Sequence, residues 1–290
     1  MATSVYGLNV GAIPEEQKRL EWQHWNIFLP VHDDSLLPSD ISSHLQSLSR
    51  PAVADVGTGT GIWLKTLSAQ VGSDARLDGF DFDTSKFPKL ELLPPNVQLK
   101  YADALKPFPE ELHGQYDLVH VRAFVFALRG DDEWERIVGH LTSLLKPGGY
   151  LLWGETSMSS WVAVPLGEAF SKVIRLVVKT SMAKGVNPWA PYRLLEYMKK
   201  AGLVERHEVV KNTLSRAASR AAVNTFAIGG LRQFFQGLLA NGGVEGVRSQ
   251  NDIDVLFAAL EKELNEESEL SINFSQTWAR RPGVIDVQEA

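Results

Sequence analysis

VADVGTGTGIW, residues 53–63, decides the fold. Val53 to Val56 form a short run with apolar character. Gly57, Gly59 and Gly61 follow two apart, and Ile62, Trp63 and Leu64 open a second apolar run. A strand, a glycine turn and a helix in that order bring backbone close to a ligand. The nicotinamide fingerprint asks for G-x-G-x-x-G or -A. Counted from Gly57, the third small position falls on Ile62, and Gly61 comes one place early. A phosphate-binding P-loop ends in Gly-Lys-Ser/Thr, and Gly61-Ile62-Trp63 does not supply that. Neither phosphate reading fits well.

The surrounding pattern extends the unit. AVADV (52–56), RLDGFDF (76–82), VQLKYADA (97–104), YDLVHVRAF (116–124) and KPGGYLLWGE (146–155) read as strands with their turns and loops. Between the last two, DDEWERIVGHLTSLL reads as a helix with an Asp cap and apolar residues at Ile137, Leu141, Leu144 and Leu145. Alternating strands and helices predict a doubly wound, parallel α/β sheet, which binds ligands at the carboxyl ends of its strands. Upstream, residues 14–29 read as an amphipathic helix and 38–49 as a second. After Glu155 the rhythm breaks into helices over 164–185, 191–203, 219–243 and 252–266, then a closing strand over 271–282 and a frayed tail, VIDVQEA. The expected organisation is an N-terminal helical lid (1–50), a ligand-binding core (51–155), and cap helices with completion of the sheet (156–290).

Composition narrows the classes. The chain has 290 residues, 44% hydrophobic and 22% charged, enough for a sizeable core. Its net charge of −6 argues against a nucleic-acid partner bound by overall positive charge. With no cysteine, disulfides, thiolate metal sites and a cysteine nucleophile are excluded. No apolar run is long enough to span a membrane, and the first twenty residues lack a signal-peptide core. A cytoplasmic location is the default expectation.

Asp55-Val56-Gly57-Thr58-Gly59-Thr60-Gly61 resembles motif I of the class I methyltransferases, which bind S-adenosylmethionine. Later elements match the same family in order: Asp81 ending the second strand, YADAL (101–105), YDLVHVRAF and LLKPGGYLLWGE. The resemblance implies a Rossmann-like seven-stranded sheet. It implies cofactor contact by Asp55, Gly57, Thr58, Gly59, Gly61, Asp81, Phe82, Asp103, Ala104 and His120. Asp81 would take the ribose hydroxyls, with Asp83 able to share the role. Asp103 would meet the adenine amino group, with Ala104 and Leu105 beside the ring. Asp55 would favour the ligand's ammonium group. RLEWQHWNIF and GFDFDTSKFP are similar to small-molecule methyltransferases of fungal secondary metabolism, in which a helix carrying a Gln-His pair, here Gln23-His24, covers the cofactor.

The implied activity is methyl transfer to oxygen, nitrogen or sulfur of a small, partly apolar molecule. Such a displacement needs alignment, and for some acceptors a base. His120, Glu155 and His24 are the candidate catalytic residues. Arg122 reads as a surface or ion-pair residue able to meet a substrate acid. Trp161 and Trp189 could wall a substrate pocket, and Phe226, Phe234 and Phe235 could pack or line it. His140 reads as structural, and His32-Asp33-Asp34 is not expected to bind a metal. Two alternatives stay open: a non-methylating cyclisation, pericyclic or elimination enzyme on the same fold, and a methyltransferase-like regulatory protein. The 219–243 helix could also pack on a second subunit, as a homodimer.

Overall fold

Ala52–Val56 (β1) is wholly buried, as an apolar strand between two parallel neighbours should be. A computed structural model describes residues 13–215 and 218–283; the VIDVQEA tail lies outside them. β1 pairs in parallel with Arg76–Asp81 (β2) and Tyr116–Arg122 (β4), and β2 with Val97–Tyr101 (β3). Leu145–Glu155 (β5) adds to β4, also in parallel. Val162–Val164 (β6) and Glu269–Ser271 (β8) form a separate two-stranded sheet. Val204–Asn212 (β7) and Asn273–Arg280 (β9) complete the main sheet in the order β3-β2-β1-β4-β5-β9-β7, with β9 antiparallel to both neighbours. The sheet is therefore mixed rather than all parallel. The expected closing strand over 271–282 divides between two sheets at Ile272, and β7 has no counterpart in the sequence reading.

Helices cover both faces. Ile13–Gln23 (α1), a π turn over His24–Phe28 and Leu29–Val31 (α2) run continuously where one helix is expected. Ser39–Ser47 (α3) and Ile62–Ser68 (α4) pack Ile41, Leu45, Leu64 and Leu67 against Val53, Leu118 and Leu152 of one face. Gly130–Leu144 (α5) carries an apolar stripe to the other face. Trp134 of α5 stacks on Trp153 with ring centres 5.2 Å apart. Glu168–Ala183 (α6), Leu194–Lys200 (α7), Arg220–Ala240 (α8) and Gln250–Lys262 (α9) follow. α7 joins the α5 face. α6, α8 and α9 build a second core around Phe226, Leu231, Phe235 and Phe257, which Ile27 and Phe274 join to the sheet domain. Glu263 ties this cap together, accepting the Ala169 and Phe170 amides at the start of α6 at 2.8 and 3.1 Å. Among the described residues, no helix is long and apolar enough to cross a membrane.

Candidate active site

The strand register lines up the chemistry. Phe80, Val56 and Val121 are paired neighbours on β2, β1 and β4. One step onward stand Asp81, Gly57 and Arg122. Tyr101 pairs with Asp81, so Asp103 follows at the end of β3; Arg122 pairs with Gly154, so Glu155 follows on β5. All five positions border one cavity of about 990 Å³ at the carboxyl edge of the sheet. α1 lies across its mouth. Gln17 donates to the Lys86 carbonyl at 3.0 Å on the sheet side, and Glu16 accepts from Gln233 of α8 at 3.2 Å on the cap side. Trp161, Phe226, Phe124 and Phe126 give the interior an aromatic wall.

The glycine loop is shaped by its neighbours. Gly61 starts α4 at φ +71°, and Gly57 has φ +72°. A Cβ on Gly57 would stand 2.3 Å from the Phe124 ring, so only glycine fits there. Below the loop, both Asp55 oxygens hold partners: Oδ2 accepts from Thr58 Oγ1 and Oδ1 from His120 Nδ1, both at 2.7 Å. That leaves Nε2 as the other nitrogen of His120, whose ring stacks on Trp63 at 3.8 Å and 5°. Burial holds the His120 pKa below the usual histidine range.

Asp81 is buried. Oδ2 accepts the Gly59 amide and Oδ1 the Asp83 amide, both at 2.9 Å. Burial raises its pKa, opposed by these two bonds. Asp103 accepts the Leu105 amide at 3.1 Å and pairs with Lys106 at 3.2 Å. Phe82, Ala104 and Leu105 border the cavity beside them. His140 donates to the Ala104 carbonyl at 3.0 Å, which is a structural role. Asp33 pairs with Lys211, and the described residues hold no metal-ligand cluster.

Three residues depart from the sequence reading. His24 is wholly buried and lies outside the cavity wall. Thr66 Oγ1 donates to the Ile62 carbonyl, so it accepts from His24 Nε2 at 2.9 Å. His24 Nδ1 then faces Arg122 at 3.5 Å as an acceptor. With both nitrogens engaged, the ring is not placed to take a proton from a ligand. Burial, then the Arg122 charge, push its pKa down to about 3. Arg122 is no surface residue: its guanidinium sits 4.0 Å over the Phe28 ring and borders the cavity. Trp189, offered as a pocket wall, is instead half exposed. Sequence reasoning missed Phe124 and Phe126; two aromatics directly beyond the carboxyl end of a strand were the available signal.

Glu155 is buried with its carboxylate among N–H donors. Oε2 accepts from the Phe124 amide at 2.8 Å and Trp153 Nε1 at 3.2 Å, and Oε1 from the Thr156 amide at 3.0 Å. Burial nevertheless pushes its pKa up to about 7. The folded state therefore holds this proton more tightly than the unfolded chain. Stability from this group is full below the ordinary carboxylate range and is lost as pH rises through about 7, by about 3 kcal/mol at most. Relative to wild type, Glu155→Gln is expected to gain in urea midpoint as pH rises from 4 to 8, whatever constant cost its amide brings among those N–H donors. An equal effect at both pH values would contradict the raised pKa.

The residues fit S-adenosylmethionine. Thr60 Oγ1 is buried in the loop bordering the cavity with no hydrogen-bond partner in the protein. A buried acid, Asp81, ends β2 and borders the cavity beside Phe82, and the loop carries no cation suited to phosphate. Comparison with known proteins agrees. Residues 53–149 match a family described as a methyltransferase domain. The chain is 30% identical over 275 residues to N-methyltransferase tcpN of Claviceps purpurea, covering 92% of this chain and 94% of that protein. It is 36% identical over 192 residues to methyltransferase grgD of a Penicillium species, covering 63% of each. Its fold is similar to a phosphoethanolamine N-methyltransferase 2 of Haemonchus contortus, at 17% identity and TM-score 0.54 over 97% of this chain and 61% of that one. A glycine loop ending β1, acids ending β2 and following β3, and a near full-length methyltransferase relative lead to one conclusion: the chain belongs to the class I S-adenosylmethionine-dependent methyltransferases.

Proposed function

We propose that the enzyme methylates a nitrogen of a small, partly apolar acceptor held between the carboxyl edge of the sheet and the cap. The observation that carries this reading is the single cavity of about 990 Å³, which runs from the glycine loop to an aromatic wall. That volume is at the upper end for small-molecule sites and leaves room for two ligands. The aromatic wall suits an apolar acceptor, and the near full-length relative named as an N-methyltransferase supports nitrogen. Of the described residues, 13–31 serve as lid, 51–155 hold the cofactor, and those after 155 supply the cap and complete the sheet.

The bound cofactor supplies an electrophilic methyl group on a sulfonium. The protein supplies alignment, the term from which such a displacement gains most. Asp81 takes the ribose hydroxyls and Asp103 the adenine amine, while Phe82, Ala104 and Leu105 flank the ring. Gly57, Thr58, Gly59 and Gly61 bring the loop backbone against the ligand. Asp55, held by Thr58 and His120, keeps the loop in place and turns its remaining acceptor capacity to the cofactor's ammonium group. Glu155 takes the acceptor's proton at Oε1, which has capacity beyond its bond from Thr156. A carboxyl group with a pKa of about 7 is matched to that role near neutral pH. The α1 helix over the mouth excludes water.

The test is incubation with methyl-labelled cofactor and a panel of secondary amines, amides, phenols and thiols, read by mass spectrometry. Label on nitrogen is expected, with Glu155→Gln lowering turnover about 10²-fold or more at unchanged cofactor affinity. Transfer to oxygen alone, or full turnover by the variant, would overturn the corresponding part of the assignment.

A further inference from the structure

Arg122 is a cation without a counter-ion. Among the described residues no carboxylate lies within ion-pair distance of it. Its contacts are the Phe28 ring at 4.0 Å and the neutral His24 at 3.5 Å, a long bond to an uncharged acceptor. The nearby acids hydrogen-bond to other groups and not to Arg122: Asp55 to Thr58 and His120, Glu155 to three N–H donors. Burial lowers the guanidinium pKa to about 10, with only the more distant Asp55 charge opposing. A half-buried charge without a counter-ion at the wall of a cavity is costly, and an anionic ligand group would remove much of that cost.

The strand register says where such a group comes from. Asp81, Gly57 and Arg122 follow one paired row across β2, β1 and β4. Two inter-strand steps place Arg122 about 10 Å from Asp81, backbone to backbone. With the ribose on Asp81 and adenine toward Asp103, the other end of the cofactor points along this row toward β4. That end carries an amino-acid carboxylate.

We propose that Arg122 is the seat for the amino-acid carboxylate of the cofactor, held in position by Phe28 and His24 from the N-terminal lid. This rests on the cofactor placement above. A planar guanidinium fork suits a carboxylate better than a point charge would. His24, which sequence reasoning took for a base, acts here as a positioning residue through its unprotonated Nδ1.

The test compares two probes by calorimetry: S-adenosylhomocysteine, and 5′-methylthioadenosine, which keeps the nucleoside thioether and lacks the amino acid. Wild type is expected to prefer the homocysteine compound, and Arg122→Met to lose about 10- to 100-fold of that affinity while binding methylthioadenosine as before. Unchanged methylthioadenosine binding also reports an intact pocket. Should Arg122→Met fail to fold, Arg122→Lys keeps the charge without the fork and is expected to retain part of the preference. Equal affinity of wild type for both probes, or an equal loss of both in a folded variant, would overturn the assignment of Arg122 alone. Failure of wild type to bind either probe would overturn it together with the cofactor placement.

Discussion

Asp81→Asn is expected to weaken S-adenosylhomocysteine binding by about 10²- to 10³-fold, from the loss of two charge-assisted hydrogen bonds to ribose. The carboxylate is 7% exposed, and each oxygen already accepts one backbone amide, from Gly59 and from Asp83. Those amides fix its orientation and leave one lone pair on each oxygen for a ligand hydroxyl. Asparagine has nearly the same shape but turns one acceptor into a donor. Whichever way it faces, an NH2 meets either the Gly59 or the Asp83 amide, so the glycine loop is disturbed as well as the ribose site. Calorimetry checks the affinity, and a urea midpoint near that of wild type checks that the loss is local. Affinity within about threefold of wild type would remove Asp81 from the site.

Trp153→Ala is expected to cost about 3–5 kcal/mol of stability, the range for removing a large buried aromatic. Trp153 is fully buried, stacks on Trp134 and meets Phe124 edge-on at 6.0 Å. Its Nε1–H also donates to Glu155. The substitution thus opens a cavity in the α5 face of the sheet and removes one of the donors that stabilise ionised Glu155. Trp153→Phe separates the two effects. It keeps most of the packing, so its stability cost should be much smaller, while the Glu155 pKa should rise further. Urea unfolding measures the first and the pH dependence of stability the second. A cost below about 1 kcal/mol for the alanine variant would mean that this face is not the packed core described here.

What the sequence disclosed follows from local rules. The β1 run, the glycine turn and the α4 start are contiguous, so one window contains the whole unit. The acids ending β2 and following β3 are legible because strand ends in such sheets face the ligand. β7 was invisible for a physical reason. It is an edge strand with residues 205–210 all exposed, and VERHEVVKN shows neither alternation nor an apolar run. Ile272 belongs to neither sheet strand although it is fully buried, so periodicity ran straight through the break between β8 and β9. The roles of the polar residues depended on distant partners. Asp55 and His120 are 65 residues apart, and Arg122 and His24 are 98 apart. An Asp beside a glycine loop reads as a ligand contact, and the histidine that it also holds is found only in the fold. An Arg ending a strand reads as exposed until Phe28 is found beneath it.

The proposed function and the role of Arg122 both need the cofactor to lie along the carboxyl edge of the sheet with its ribose on Asp81. A crystal structure of the full chain with S-adenosylhomocysteine tests this most directly. The expected result is density inside the large cavity, with both ribose hydroxyls on Asp81, adenine beside Asp103 and Leu105, and the thioether sulfur over the glycine loop facing the aromatic wall. Density with the ribose held by other residues, or with the sulfur turned away from the cap, would contradict it.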